Sequence, residues 1–255
     1  MRFASLGSGS QGNSLIVDGG DTKLLLDCGF STRLTLDKLA RLAVSVEEIS
    51  AILVSHEHGD HVAGVSRLAG RFGIPVYLSH GTHAAIACGK NTLPECRLID
   101  SHTPFSIGSL EIHPYPVPHD AREPVQYAFA DGRHRLGVLT DSGSITPHVI
   151  DVLQRCDALV LECNHDSGLL SASDYPMMLK RRISGNLGHL ENEQAAALLL
   201  RIETQQLQHI VAAHLSEKNN SPQLAAKALA SALNCAEEWI GVASQTDGFG
   251  WRQLL

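Results

Sequence analysis

No stretch of this chain approaches the ~18 consecutive apolar residues that a membrane-crossing helix requires, so no membrane association is expected. No Pro- or Ser-rich linker, low-complexity tract or long internal repeat divides the 255 residues, and one domain over 1–255 is the expectation. Six cysteines occur, none in CxxC spacing. That argues against a disulfide framework and against a structural zinc site. The opening segment Met1-Arg2-Phe3-Ala4-Ser5-Leu6-Gly7-Ser8 lacks the apolar core of a secretory signal and reads as a strand running into a Gly/Ser loop. A reducing cytoplasm fits these features. With 20 Lys and Arg against 27 Asp and Glu, a net charge of −7, the composition argues against non-specific binding to a polyanion without excluding nucleic acid.

What is present is a 44% hydrophobic sequence, enough for a sizeable core, with strand and helix patterns mixed. Phe3–Leu6, Ser14–Val17 and Lys23–Leu26 read as strands. Helices are expected over about Leu34–Leu42 and Val62–Phe72, and later strands at Pro75–Leu78, Leu110–Tyr115, Gln126–Ala130, Arg135–Leu139, Ala158–Glu162 and Gln208–Ala213. Thr146-Pro147 and Ser221-Pro222 each pair a capping hydroxyl with Pro in the first helical turn. Ser173 is expected to cap another helix, and Glu191 or Asn192 to begin an Ala/Leu-rich one. An α/β fold results, with two sheets packed together and helices outside.

The chemistry concentrates at His56-Glu57-His58-Gly59-Asp60-His61, directly after the apolar run Ala51-Ile52-Leu53-Val54. Histidines at alternate positions of an extended segment point the same way, so His56 and His58 can share one ion. Asp60 and His61 are then displaced toward a second. Imidazoles with a carboxylate suit a borderline cation such as Zn²⁺ or Mn²⁺. Cys28 and Cys163 lie close to this and a later motif, but small buried thiols at strand ends account for them.

The HxHxDH run resembles the signature of the metallo-β-lactamase superfamily, and other superfamily positions appear in order. Asp27 closes Leu24-Leu25-Leu26-Asp27, His119 lies in Val117-Pro118-His119-Asp120, Asp141 follows Gly137-Val138-Leu139-Thr140, and His214 ends Ile210-Val211-Ala212-Ala213-His214. The resemblance implies an αββα sandwich with metals on loops at one edge. It implies that His56, His58 and His119 hold one divalent ion, that Asp60, His61 and His214 hold the other, and that Asp141 bridges them. Asp27 would support an imidazole ligand or the shared water. A mononuclear site, with one set acting only through hydrogen bonds, is the alternative.

Three further segments resemble the YycJ/WalJ branch, whose members are metal-dependent 5′→3′ exodeoxyribonucleases. They are Gly7-Ser8-Gly9-Ser10-Gln11-Gly12-Asn13-Ser14, Leu161-Glu162-Cys163-Asn164-His165-Asp166, and Gly188-His189-Leu190-Glu191-Asn192, with His214-Leu215-Ser216-Glu217-Lys218-Asn219-Asn220-Ser221-Pro222 behind the last. Gln11 and Glu191 depart from that pattern without touching the ligand positions. DNA is the implied substrate, cut by hydroxide formed from water shared by two cations. Asp60, His165 and His189 are the catalytic candidates, and Ser8, Asn13 and Asn164 the substrate-binding ones. The Gly/Ser loop either cradles a phosphate with backbone N–H groups or is a tight turn. His165 and His189 either serve a phosphate or a leaving oxygen or fix loops. Lys180-Arg181-Arg182 reads as a basic helix end or as a nucleic-acid contact. The alternatives for function are a small-molecule thioesterase or cyclic phosphodiesterase, and an RNA-processing nuclease.

Overall fold

The computed structural model describes residues 1–88, 93 and 95–255. Its elements run β1 (Arg2–Gly7), β2 (Ser14–Asp18), β3 (Lys23–Leu26), α1 (Thr32–Arg41), β4 (Ile49–Leu53), α2 (Gly59–Val62), α3 (Val65–Phe72), β5 (Val76–Ser79), α4 (His80–Ala87), β6 (Cys96–Ile99), β7 (Phe105–Ile107), β8 (Leu110–Pro116), β9 (Val125–Ala130), β10 (Arg135–Leu139), α5 (Pro147–Leu153), β11 (Ala158–Glu162), α6 (Ser167–Ala172), α7 (Met177–Ile183), α8 (Asn192–Leu199), β12 (His209–Ala213), α9 (Pro222–Leu233), β13 (Gly241–Val242) and β14 (Phe249–Gln253).

Two seven-stranded sheets result, ordered β14-β1-β2-β3-β4-β5-β6 and β13-β12-β11-β10-β9-β8-β7. Each is antiparallel over one half and parallel over the other, β3 through β6 in the first and β10 through β13 in the second. Apolar alternation assigns the faces. Leu24, Leu26 and Leu53 meet Val138, Val160, Val211 and Phe129 in the layer between the sheets. Their neighbours Leu25, Ile52 and Val54 face outward onto Leu39, Val65 and Leu68 of α1 and α3. Leu159, Leu161, Ile210 and Ala212 face outward onto residues of α5, α8 and α9. Strands buried on both faces explain the nearly unbroken apolar runs in the sequence. The αββα expectation holds.

The two cap-plus-Pro readings hold as well: Val149 N donates to Thr146 Oγ1 at 3.2 Å and Leu224 N to Ser221 Oγ at 3.2 Å. Two readings are corrected. The helix expected over Val62–Phe72 is broken at Ala63-Gly64, because Gly64 N donates to Cys28 O at 2.8 Å and a Cβ at Gly64 would lie 1.9 Å from Phe30 O. Ser173 begins no helix. Asp166 caps α6 by accepting from Leu169 N at 2.8 Å, and Ser173 stands at the far end of α6, its Oγ donating to Leu170 O. The short edge strands β6, β7, β13 and β14 carry too little pattern to be read from sequence.

Parallel neighbours end together, and that places the site. The chain leaves β3 and β4 side by side in one sheet and β10, β11 and β12 side by side in the other. Their carboxyl ends open toward the same edge of the sandwich, the usual place for a site on parallel strands. Tyr127 Oη donates to Val54 O at 2.9 Å and ties the sheets together beneath that edge.

Candidate metal centre

Three residues turn the chain at strand ends in the left-handed region: Asp27 (φ 62°), Asp141 (φ 54°) and His214 (φ 54°). Non-glycine residues seldom sit there, and a site that over-determines the backbone is a common reason. Each side chain is buried at the seam between the sheets.

The HxHxDH loop follows β4. His56 Nε2 lies 3.1 Å from His58 Nδ1, and His119 Nε2 lies 3.2 Å from the same atom. These three rings meet edge to face, with centroids 4.6 to 5.0 Å apart. Beside them lies a second group of Asp60, His61, Asp141 and His214. His61 Nε2 is 3.4 Å from Asp60 Oδ2 and 3.3 Å from Asp141 Oδ2, and His214 Nε2 is 3.5 Å from Asp60 Oδ2 and 3.4 Å from Asp141 Oδ1. Asp141 Oδ1 also stands 4.0 Å from His119 Nε2. One carboxylate therefore lies between the two groups. The structure brings together all seven residues expected to hold metal.

Their surroundings fix the imidazoles. Asp27 accepts from Ser55 N, Ser55 Oγ and His61 Nδ1, each at 2.8 Å, so Nε2 is the nitrogen His61 turns to the centre. His119 Nδ1 donates to Gly188 O at 3.0 Å. Asn13 Nδ2 reaches Asp60 Oδ2 at 3.2 Å. Gly29 is required beneath Asp60, since a Cβ there would lie 1.8 Å from Asp60 O.

The donor set fits divalent cations. Asp141 Oδ2 and His214 Nε2 are buried without a hydrogen-bond partner, an arrangement that costs about 1–3 kcal/mol per group unless something else satisfies them. Burial, and next the charge of His61, push His56 well below the ordinary histidine range; burial also lowers His119, so both present neutral nitrogens. In the other group burial opposes charge but is outweighed. The His214 and His61 imidazoles hold Asp60 and Asp141 well below the carboxylate range. The Asp141 and Asp27 carboxylates hold His61 well above its usual value, and Asp141, Asp60 and Glu162 carry His214 up to about 10. Without metal, protons on these two rings are the cations that the carboxylates require. A metal ion can take their place.

Glu162 escaped the sequence reading, although a single charge ending a buried apolar strand is a signal. It is fully buried. Its Oε1 accepts from His189 Nδ1 at 2.8 Å and lies 3.3 Å from His214 Nδ1, and its Oε2 accepts from Ser142 N at 2.9 Å and Leu190 N at 3.3 Å. Burial would raise its pKa, but His189 outweighs that and holds it at about 2. Asp141, Glu162, His189 and His214 form a third potential ligand group. Glu162's oxygens are already engaged, whereas Asp141 Oδ2 and His214 Nε2 are not, so the group with Asp60 and His61 fits a second ion better.

A cleft of about 240 Å³ opens over the centre, lined by His58, Asp60, Asp141, Asn164, His189 and His214 together with Ser10, Tyr175, Leu179, Arg182, Ile183 and Ser216. His189 thus faces the cleft. Gly143 lets its loop approach, since a Cβ there would lie 2.4 Å from Gly188 N. Three other expectations are corrected. His165 is buried, 2% exposed, and does not line the cleft; its carbonyl accepts from Asn192 N at the start of α8. Ser8 Oγ accepts from His214 N at 2.8 Å and Asn13 braces Asp60, so both are buried beneath the centre and neither lines the cleft. The Gly/Ser loop acts mainly as a brace: the N–H groups of Ser8, Gly9, Gln11, Gly12 and Asn13 donate to protein oxygens, and of these loop residues Ser10 alone lines the cleft. Asn164 does line the cleft, with its Nδ2 donating to His214 O at 3.0 Å. Cys28 and Cys163 are buried free thiols; burial pushes Cys28 up to about 11 and Cys163 higher still.

Comparison with known proteins matches this picture. A beta-lactamase superfamily domain model matches residues 22–211. Exodeoxyribonuclease YycJ of Bacillus anthracis is 35% identical over 248 residues, covering 95% of this chain and 92% of that protein. Exodeoxyribonuclease WalJ of Streptococcus pneumoniae is 32% identical over 246 residues, covering 95% and 91%. The crystal structure of YhfI from Bacillus subtilis, a metallo-beta-lactamase fold protein, superposes with a TM-score of 0.75 at 19% identity over 98% of both chains, a likeness of fold.

Proposed function

This chain belongs to the beta-lactamase superfamily, in the branch of the YycJ and WalJ proteins, and we propose that it is a dinuclear metal-dependent phosphodiesterase that degrades DNA from the 5′ end. The observation that carries the dinuclear reading is Asp141, a buried carboxylate between the three-imidazole group of His56, His58 and His119 and the Asp60–His61–His214 group. The choice of DNA is supported by the full-length likeness to two proteins named exodeoxyribonucleases.

Two divalent cations, Zn²⁺ or Mn²⁺ by ligand chemistry, would supply hydroxide near neutral pH and polarise the phosphoryl oxygens. The protein's part is orientation. Asp27 and Glu162 fix which nitrogen of His61 and His214 faces inward. Glu162 also accepts a hydrogen bond from Nδ1–H of His189, whose Nε2 has no hydrogen-bond partner among the described residues. As imidazolium, with Nδ1–H held on Glu162, His189 can pass its Nε2 proton to the departing 3′-oxygen and is left as neutral imidazole. The net charge of −7 does not oppose a DNA substrate, because two bound cations would add about +4 where the strand enters. No helix among the described residues is long and apolar enough to cross a membrane. The six free cysteines support a reducing, cytoplasmic setting.

The test is a direct comparison of metal-loaded protein on end-labelled single- and double-stranded DNA and RNA and on a thioester. DNA should be shortened from its 5′ end faster than the other substrates are hydrolysed. Faster hydrolysis of the thioester or of RNA would overturn the assignment.

A further inference from the structure

Arg182 stands in the last turn of α7 and lines the cleft. Among the described cleft-lining residues it carries the one guanidinium, and no lysine is there. Its Nε donates to Asp120 Oδ2 at 2.6 Å. Asp120 follows His119 in the chain, and its Oδ1 lies 3.5 Å from His119 Nε2 and 4.0 Å from His58 Nε2. A single carboxylate thus separates the guanidinium from the three-imidazole group.

That geometry leaves a specific surface. With Nε engaged, the two Nη groups have no hydrogen-bond partner among the described residues. They form the planar fork that takes two phosphate oxygens. The Arg182 side chain is 54% exposed, so a ligand can reach it without opening the core. An ion pair this exposed contributes little to stability, and the pairing through Nε has a different consequence: it holds the fork beside the metal centre. A basic last turn that only complements the helix dipole would not need one of its three cations to line the cleft. Arg181 does not line it, and Lys180 donates to Ser171 O.

We infer that Arg182 binds the non-scissile phosphate next to the bond being cut, which at a strand end is the terminal 5′-phosphate. This inference rests on the phosphodiesterase reading and adds a residue that selects the substrate end. The experiment compares kcat/KM on one oligonucleotide with a 5′-phosphate and with a 5′-hydroxyl. The wild type should prefer the phosphorylated end by about 10- to 100-fold, the range for a charge-assisted hydrogen bond. Arg182→Gln should bring the ratio close to one, Arg182→Lys should recover part of it, and Arg181→Gln should leave it at the wild-type value. A wild type with no preference, an Arg182→Gln variant that keeps it, or an Arg181→Gln variant that loses it equally would overturn the inference. Calorimetric binding of thymidine 5′-phosphate to the metal-loaded protein requires no turnover and separates the two levels. Weaker binding by Arg182→Gln supports the phosphate clamp even where DNA is not cut. Equal binding by wild type and variant refutes the clamp while leaving the phosphodiesterase reading standing.

Discussion

Glu162→Gln is the most informative single change, because the buried carboxylate serves four donors at once. Two backbone N–H groups, of Ser142 and Leu190, point at Oε2, and the Nδ1 atoms of His189 and His214 lie at Oε1. A glutamine of nearly the same shape has only one acceptor oxygen. If that oxygen keeps the two backbone donors, the NH2 group faces both imidazoles. Each Nδ1 must then accept, and the ring proton moves to Nε2. For His214 that is the nitrogen needed for metal. A carboxyl held at about 2, against an ordinary ~4.3, corresponds to roughly 3 kcal/mol of favourable interaction. Two charge-assisted bonds weakened to neutral ones give a loss of similar size. The metal-free variant should therefore be about 2–4 kcal/mol less stable in urea at pH 7. Because the folded-state pKa is depressed, that difference is fully present above the ordinary carboxyl range and shrinks as the pH falls toward 2. The second metal should bind about 10- to 100-fold more weakly in competition with a chromophoric chelator, and the single-turnover rate should fall with it. A variant with wild-type metal affinity and rate would show that Glu162 does not set the imidazole tautomers, whatever its effect on stability.

Asp141→Asn should leave the fold intact and abolish turnover, with one metal retained per chain instead of two by elemental analysis, since the amide cannot serve as a charged bridge; near wild-type activity at saturating metal would remove Asp141 from the mechanism. His189→Ala should lower kcat by about 10²–10⁴-fold with metal content unchanged. A loss of melting temperature with activity retained would reduce His189 to a hydrogen-bonding post at the start of α8. Metal binding should release about two protons at pH 7 from His61 and His214, whose pKa values are raised in the metal-free chain. Apparent affinity should then climb steeply with pH between ordinary histidine titration and about 10, and a flat affinity profile over pH 7–9 would contradict protonated rings in the free protein.

The metal centre was legible in the sequence because its chemistry is local or ends a strand. His56, His58, Asp60 and His61 fall within six consecutive residues, and Asp27, Asp141 and His214 each close an apolar run. What the sequence did not reveal depends on contacts across the chain. Ser8 and Asn13 looked like contacts for a phosphate because glycines surround them, yet their partners are His214 N, 206 residues away, and Asp60 Oδ2, 47 residues away. His165 occupies a motif with Glu162 and Asn164, but the chain turns inward after Cys163, where Asn164 N donates to Leu190 O. The useful member of that motif was the carboxylate on the strand itself. Arg182 was visible only as one third of a basic triplet, and its place in the cleft follows from the Asp120 carboxylate that holds it.

The left-handed turns at Asp27, Asp141 and His214 join fold to chemistry more tightly than any one ligand. A residue with a Cβ in that region is disfavoured by roughly 1–2 kcal/mol relative to glycine-compatible backbone. All three residues leave the end of a strand whose next step would continue outward. The turn instead brings each side chain back over the seam. Asp27 N donates to Leu53 O at 2.8 Å within the first sheet, and His214 N, at the end of β12, reaches across to Ser8 Oγ beside β1 at 2.8 Å. Glycine at any of the three would relax the backbone and remove the functional group. Asparagine at Asp27 or Asp141 would tolerate the same φ, which makes those substitutions tests of charge with the turn preserved. The strain therefore belongs to the site: the sandwich supplies two rows of parallel strand ends, and the left-handed turns convert them into inward-facing carboxylates and imidazoles at one edge.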